Sequence, residues 1–203
     1  MSTPTMMPDH DRLRGAVRLV ALLNLAYFGV EFAVALRIGS VSLLADSVDF
    51  LEDAAVNLVI FAALGWSATR RARAGMVLAG VLLIPAAAFL GMLWHKFSAP
   101  APPDAIPLTV TGFGALAINL FCAFTLARFR HHSGSLTKAA FLSARNDALA
   151  NVAIIAAGIV TLVWRSVWPD ILVGLGVAIM NLDAAHAVWK AARTEHRTSL
   201  ERP

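Results

Sequence analysis

Charge is scarce in this chain and cysteine nearly absent. Only 15% of its 203 residues are Asp, Glu, Lys or Arg, against 58% hydrophobic, and mean hydropathy is +0.68. A soluble domain of this size needs enough polar surface to cover a core, and this composition does not supply it. The single cysteine, Cys122, lies deep in an apolar run, which excludes a disulfide framework and a cysteine-based metal site. There is no nucleophile elbow, no Gly-rich phosphate loop and no His pair placed across helices for haem, so an enzyme is not expected, nor a cofactor. Met1 to Asp11 is polar, acidic and holds two prolines. It lacks a short apolar core before a small-residue cleavage site, so the first apolar span is expected to be retained. No internal repeat stands out.

Long apolar runs are what the chain does have. A run of about 20 residues crosses roughly 30 Å of hydrocarbon at ~1.5 Å per residue, and backbone in lipid must satisfy its own hydrogen bonds, so such runs are helices. Six are expected, at 14–37, 41–66, 75–97, 105–128, 136–164 and 168–189. Each break has a local cause. Arg37-Ile38-Gly39-Ser40 reads as a tight turn and Arg70 to Arg73 as a short basic link. Ser98 to Pro107 holds four prolines, which cannot continue a helix. Arg128 to Ser135 is a polar loop rich in Arg and His, and tryptophans flank the turn from Trp164 to Pro169 as in an interfacial belt. Pro85 is a candidate kink in the third span.

The expected fold is therefore all-α, an integral membrane bundle of six transmembrane helices. A tail at 1–13 precedes the membrane domain at 14–189, and a short polar tail follows at 190–203. The pI near 10.0 is a topology signal rather than a nucleic-acid footprint, because the basic residues sit at helix ends and turns. With the N-terminus inside, the cytoplasmic side holds 13 of them: Arg12, Arg14, Arg18, Arg70, Arg71, Arg73, Arg128, Arg130, Lys138, Lys190, Arg193, Arg197 and Arg202. The other side holds 3, Arg37, Lys96 and Arg165, with Arg145 left inside a span. Both termini are expected in the cytoplasm, in a multi-pass protein of the cell membrane.

The second span carries the chemistry. Asp46, Asp49, Glu52 and Asp53 fall within eight residues of an apolar helix. Each ionised carboxylate at mid-bilayer costs on the order of 3 kcal/mol, unless it faces protein or water, holds a proton or binds a cation. Asp46, Asp49 and Asp53 share one face, and Asp49 and Asp53, one turn apart, can chelate together. Glu52 points elsewhere. A short interfacial helix with a solvated acidic face is the plainer alternative. The fifth span repeats the device: Ser143 and Asp147 are one turn apart, with Asn146 and Asn151 nearby, although Asp147 pairing with Arg145 would explain it as well. Asn24 and Glu31 in the first span are accessory candidates, Glu31 equally as an ion-pair partner of Arg37. Asn119 and Asn181 read as hydrogen-bonding glue between helices.

These residues resemble the cation diffusion facilitators. Gly39-Ser40-Val41-Ser42-Leu43-Leu44-Ala45-Asp46 followed by Asp49-x-x-x-Asp53 looks like that family's second helix, where a His or Asp and an Asp four residues on bind the transported metal. His131-His132-Ser133-Gly134-Ser135-Leu136, Ala139-Ala140-Phe141-Leu142 and Asp147-Ala148-Leu149-Ala150-Asn151-Val152 resemble its fifth helix, and Trp168 to Leu175 the start of its sixth. Ser143 stands where the family usually has His. The chain also stops at Pro203, so the cytoplasmic C-terminal metal-binding domain of most members is not expected.

The resemblance implies a transporter, not an enzyme: alternating access, with divalent metal leaving the cytoplasm as protons enter. The expected metal ligands are Asp49, Asp53, Asp147 and Ser143, with Asp46, Asn24, Asn146 and Glu31 accessory. Crowded, desolvated carboxylates favour holding protons until a metal displaces them. Zinc, which is common in the family and accepts carboxylate, leads only narrowly over manganese, iron(II) and cobalt, because an oxygen-rich shell without imidazole suits harder ions. His131 and His132 read as a loop at the cytoplasmic mouth. The partners are thus divalent cations, protons and lipid, with no nucleic acid. A homodimer, the family's tendency, would need contacts within the membrane. A cation channel and a non-transporting scaffold or metal sensor from the same family remain alternatives.

Overall fold

A computed structural model of the chain describes residues 9–63, 68–127 and 134–181. It is all-helical: α1 (Asp9–Ile38), α2 (Val41–Ala63), α3 (Ala68–Ser98), α4 (Ala105–Ala127) and α5 (Gly134–Val163), then α6, described over Trp168–Asn181. No strand occurs among the described residues. Helices α1 and α3 begin before the apolar spans at 14–37 and 75–97, because Arg, Leu and Ala in the polar approaches are good helix formers. Helix α3 also runs through Pro85. Beyond Asn181 the expected sixth span leaves the described residues.

Among the described residues, three helices contain stretches long and apolar enough to cross a membrane, Arg12–Ile38, Ala105–Ala127 and Asn146–Val163, and α6 is a shorter apolar helix. Large apolar side chains such as Leu22, Val30, Leu83, Phe124 and Val163 are exposed. In water such a surface would drive aggregation; around a membrane bundle it is the face that lipid covers.

The chain reverses between α1 and α2 at Gly39, whose φ of 67° is a left-handed conformation that only glycine adopts cheaply. Ser40 N donates to Ala35 O at 3.0 Å, the six-to-one bond that closes a helix with a left-handed glycine after its last residue. The start of α2 is then capped from two directions. Ser40 Oγ accepts from Leu43 N at 3.2 Å, while Asp170 of α6 accepts from Val41 N at 2.8 Å and Ser42 N at 3.1 Å. The hydroxyls of Ser40 and Ser42 also donate to Asp170, at 2.6 and 2.7 Å. Leu44 N reaches Ser40 O, so each N–H of this buried helix start has an acceptor. The helices touch closely here: a Cβ on Gly174 would lie 2.8 Å from Val41 Cγ1 and 2.9 Å from Ser42 N.

Helices α1 and α2 pack together, as do α4 and α5, and α1–α4 and α2–α5 contacts join the two pairs. Gly158 lets α5 approach α4, where a Cβ would strike the side chain of Thr109 and sit 3.2 Å from its backbone nitrogen. Toward the Gly39 end, Ala35, Leu43, Leu44, Leu108, Ile154 and Ile171 form the main apolar core. Toward the opposite end, Val20, Cys122 and Leu126 form a smaller one. The polar residues of the interior lie between them.

Candidate metal site

The polar layer is built on α2. Asp46 is fully buried, and Asp49 and Asp53, one and two turns on, are half-buried. Across from them α5 contributes Asp147 and Asn151, both buried and one turn apart. The Asp49 carboxyl lies within electrostatic reach of those of Asp147, Asp46, Asp53 and Glu52, so the facing helices aim negative charge at one region. Asp53 and Asp147 are both engaged with their surroundings.

Hydrogen bonds fix the register of the helices. Asn151 Nδ2 donates to Asp46 Oδ2 at 2.6 Å, and Asn119 Nδ2 of α4 donates to Asn151 Oδ1 at 2.9 Å. This relay ties α4, α5 and α2 together at the level of the acids, giving Asn119 the adhesive role its sequence suggested. It also gives one oxygen of Asp46, Oδ2, a charge-assisted partner. On the far side of the acids, Cys122 Sγ lies 3.7 Å from Asn24 Oδ1, to which it donates weakly. Cys122 is in turn within electrostatic reach of Asp53 and Asp147, so both residues border the region. Asn57, one turn past Asp53, donates its amide to Asp53 O at 2.8 Å.

Glu31 does not pair with Arg37. Its side chain is fully buried, neither carboxyl oxygen has a hydrogen-bond partner among the described residues, and Arg37 is exposed. Glu31 instead meets Asp46 across the α1–α2 contact. Asn146 is exposed while Asp147 beside it is buried, so it is turned away from the acids. Ser143 and Arg145 lie in α5, but their side chains are outside the described residues, as are His131 and His132. Among the described residues no three His, Cys, Asp or Glu side chains stand close enough together to grip one ion.

Three contributors lie outside the residues expected from the sequence. Asn57 continues the four-residue ladder from Asp49 and Asp53, a signal that was present. Cys122 approaches the acids only through the fold. Asp170, expected merely as the start of a helix, spans 130 residues to bond Ser40.

A family model described as the cation efflux transmembrane domain matches residues 17–194, a stretch that includes Asp49, Asp53 and Asp147. No curated protein matches the chain.

Proposed function

Since the chain belongs to the cation efflux family, we propose that it carries divalent metal ions out of the cytoplasm in exchange for protons. The observation that supports this most is the placement of Asp49 on α2 within electrostatic reach of Asp147 on α5, inside a membrane bundle. Buried acids at such depth are costly unless they serve an ion or a proton. Asp49, Asp53 and Asp147 bind the metal, and Ser143 or water completes the shell.

Three carboxylates set three negative charges against two on the metal, and metal ligation requires them deprotonated. Loading therefore releases protons, which gives the exchange its coupling. Gripping the ion requires the acids of α2 and α5 to draw together, so closure of these helices belongs to the transport step. Zinc is the leading cargo, because it accepts carboxylate oxygen, with manganese, iron(II) and cobalt as the harder competitors. The protein acts as a multi-pass protein of the cell membrane.

The test is flux into liposomes holding a metal-sensitive dye, for Zn²⁺, Mn²⁺, Co²⁺ and Fe²⁺, with and without a pH gradient. Gradient-dependent flux in the wild type and its loss in Asp147→Ala are expected. No flux for any metal from folded protein would sink the transport reading and favour a non-transporting scaffold or sensor. Fast flux indifferent to the gradient would mark a channel.

A further inference from the structure

We propose that Glu31 carries a proton in the metal-free protein and donates it in a hydrogen bond to Asp46 Oδ1, forming a proton site apart from the metal ligands.

Glu31 and Asp46 are both fully buried, and their carboxyl groups meet between α1 and α2. Ionised carboxylates only accept hydrogen bonds, so two of them side by side give each other nothing and repel. Asp46 has a donor on one oxygen, Asn151 Nδ2 on Oδ2. Reversing that amide alone would place its NH₂ against the Asn119 amide that now donates to Asn151 Oδ1. Three oxygens are left with no partner among the described residues: Asp46 Oδ1 and both oxygens of Glu31. A hydrogen on Glu31 satisfies Asp46 Oδ1 and removes one of the two adjacent charges. Putting it on Asp46 instead would leave the ionised group at Glu31, where no other donor among the described residues reaches. The asymmetry of donors thus decides which carboxyl holds the proton.

Among the described residues the surroundings offer no other source of compensation. On α1, the Tyr27 hydroxyl donates to Thr111 O at 2.6 Å. On α2, the further charged neighbour is Asp49. Helix α4 has no charged or His residue from Ala105 to Ala127, and α5 presents Asp147 and the committed Asn151. Of the cations at this end of the bundle, Arg37 is exposed and Lys96 donates to Ala101 O. A metal ion is a poor occupant, since two carboxylates are too few oxygens for one and no larger cluster of ligands stands here among the described residues.

Glu31 sits on α1 whereas Asp46 and the ligand Asp49 sit on α2, so relative motion of α1 and α2 makes or breaks the bond without touching the metal. In the transport reading above, on which this last step rests, Glu31 is a proton carrier distinct from the metal-binding acids.

The test is infrared spectroscopy of the metal-free protein in detergent at neutral pH. Wild-type protein should show the carbonyl band of a protonated carboxylic acid that moves when glutamate side-chain carboxyls are ¹³C-labelled. Glu31→Gln should lose that band and Glu52→Gln should keep it. Absence of a glutamate-sensitive band in labelled wild type would overturn the proposal without relying on any variant, as would its survival in Glu31→Gln. The measurement needs no transport, so a protein that moves no metal but shows the band would overturn only the transport reading.

Discussion

Removing Asp170 should destabilise the bundle more than any other single change at the Gly39 end. Asp170→Ala takes the acceptor from Val41 N and Ser42 N, both at a buried helix start. An unsatisfied buried donor costs about 1–3 kcal/mol, and losing an anion at a helix N-terminus adds roughly 0.3–1 kcal/mol. The two hydroxyls can fall back on each other, since Ser40 Oγ and Ser42 Oγ already lie 3.3 Å apart, so they add little. The expected loss is therefore about 3–5 kcal/mol. Asp170→Asn should cost about a third to a half as much. Its oxygen can keep the bonds now made to Oδ1, and only the Val41 N–H would face an NH₂ in place of Oδ2. The assay is reversible unfolding in mixed detergent and SDS, followed by tryptophan fluorescence, with Trp168 two residues from the substitution. The expected order is wild type, then Asn, then Ala. An Ala variant within about 0.5 kcal/mol of wild type, the range of an ordinary surface substitution, would rule out the Asp170 cap as a large source of stability. An Asn variant no better than Ala would rule out the bonds to Oδ1 as its basis.

Two further substitutions probe the interior. Asn151→Leu removes the middle of the relay from Asn119 to Asp46, and interhelical hydrogen bonds in membranes couple by about 0.6 kcal/mol on average and at most ~1.7. A double-mutant cycle of Asn151→Leu with Asn119→Leu, read by the same unfolding assay, should give a coupling of about 1 kcal/mol; additive losses would show that the relay does not bind the helices. Gly158→Val should separate α4 from α5 and lower stability by about 1–3 kcal/mol, as overpacking does elsewhere. Gly91→Val, where nothing lies within 4 Å of the new Cβ, should change little, and equal losses at both sites would argue against close approach as the reason for glycine.

Much of this architecture was readable in one dimension. The apolar spans, the turn at Gly39 and the acids of α2 and α5 follow from hydropathy, glycine chemistry and helical spacing, all local properties. The supposed pairing of Glu31 with Arg37 fails on the same grounds that should have excluded it. Six residues at about 100° each place them about 120° apart around α1. Asn146 is likewise turned about 100° from Asp147 and reaches the surface. The early starts of α1 and α3 escaped because hydropathy marks where lipid begins, whereas the helix continues into water wherever its residues favour it. The capping of α2 by Asp170 and the relay through Asn151 were beyond reach for a different reason. Both are agreements between residues more than 100 apart in the chain, and local pattern says nothing about which distant side chain will arrive.

The cap at the start of α2 also makes that helix a lever. Asp170 holds α2 at Val41, and Asp49 and Asp53 lie about 12 Å and 18 Å along the axis from that fulcrum at ~1.5 Å per residue. A tilt of about 15°, of the order of one well-described subunit rotation about an interface, would sweep Asp49 through about 3 Å and Asp53 through about 5 Å while the anchored end stays in place. If Asp49 and Asp53 hold the metal as proposed, metal–oxygen bonds of about 2.0–2.2 Å would be made or broken well within that travel. The pinned end would thus turn a small angular change into ångström-scale displacement at the acids, and Asp53, on the longer arm, would move further than Asp49.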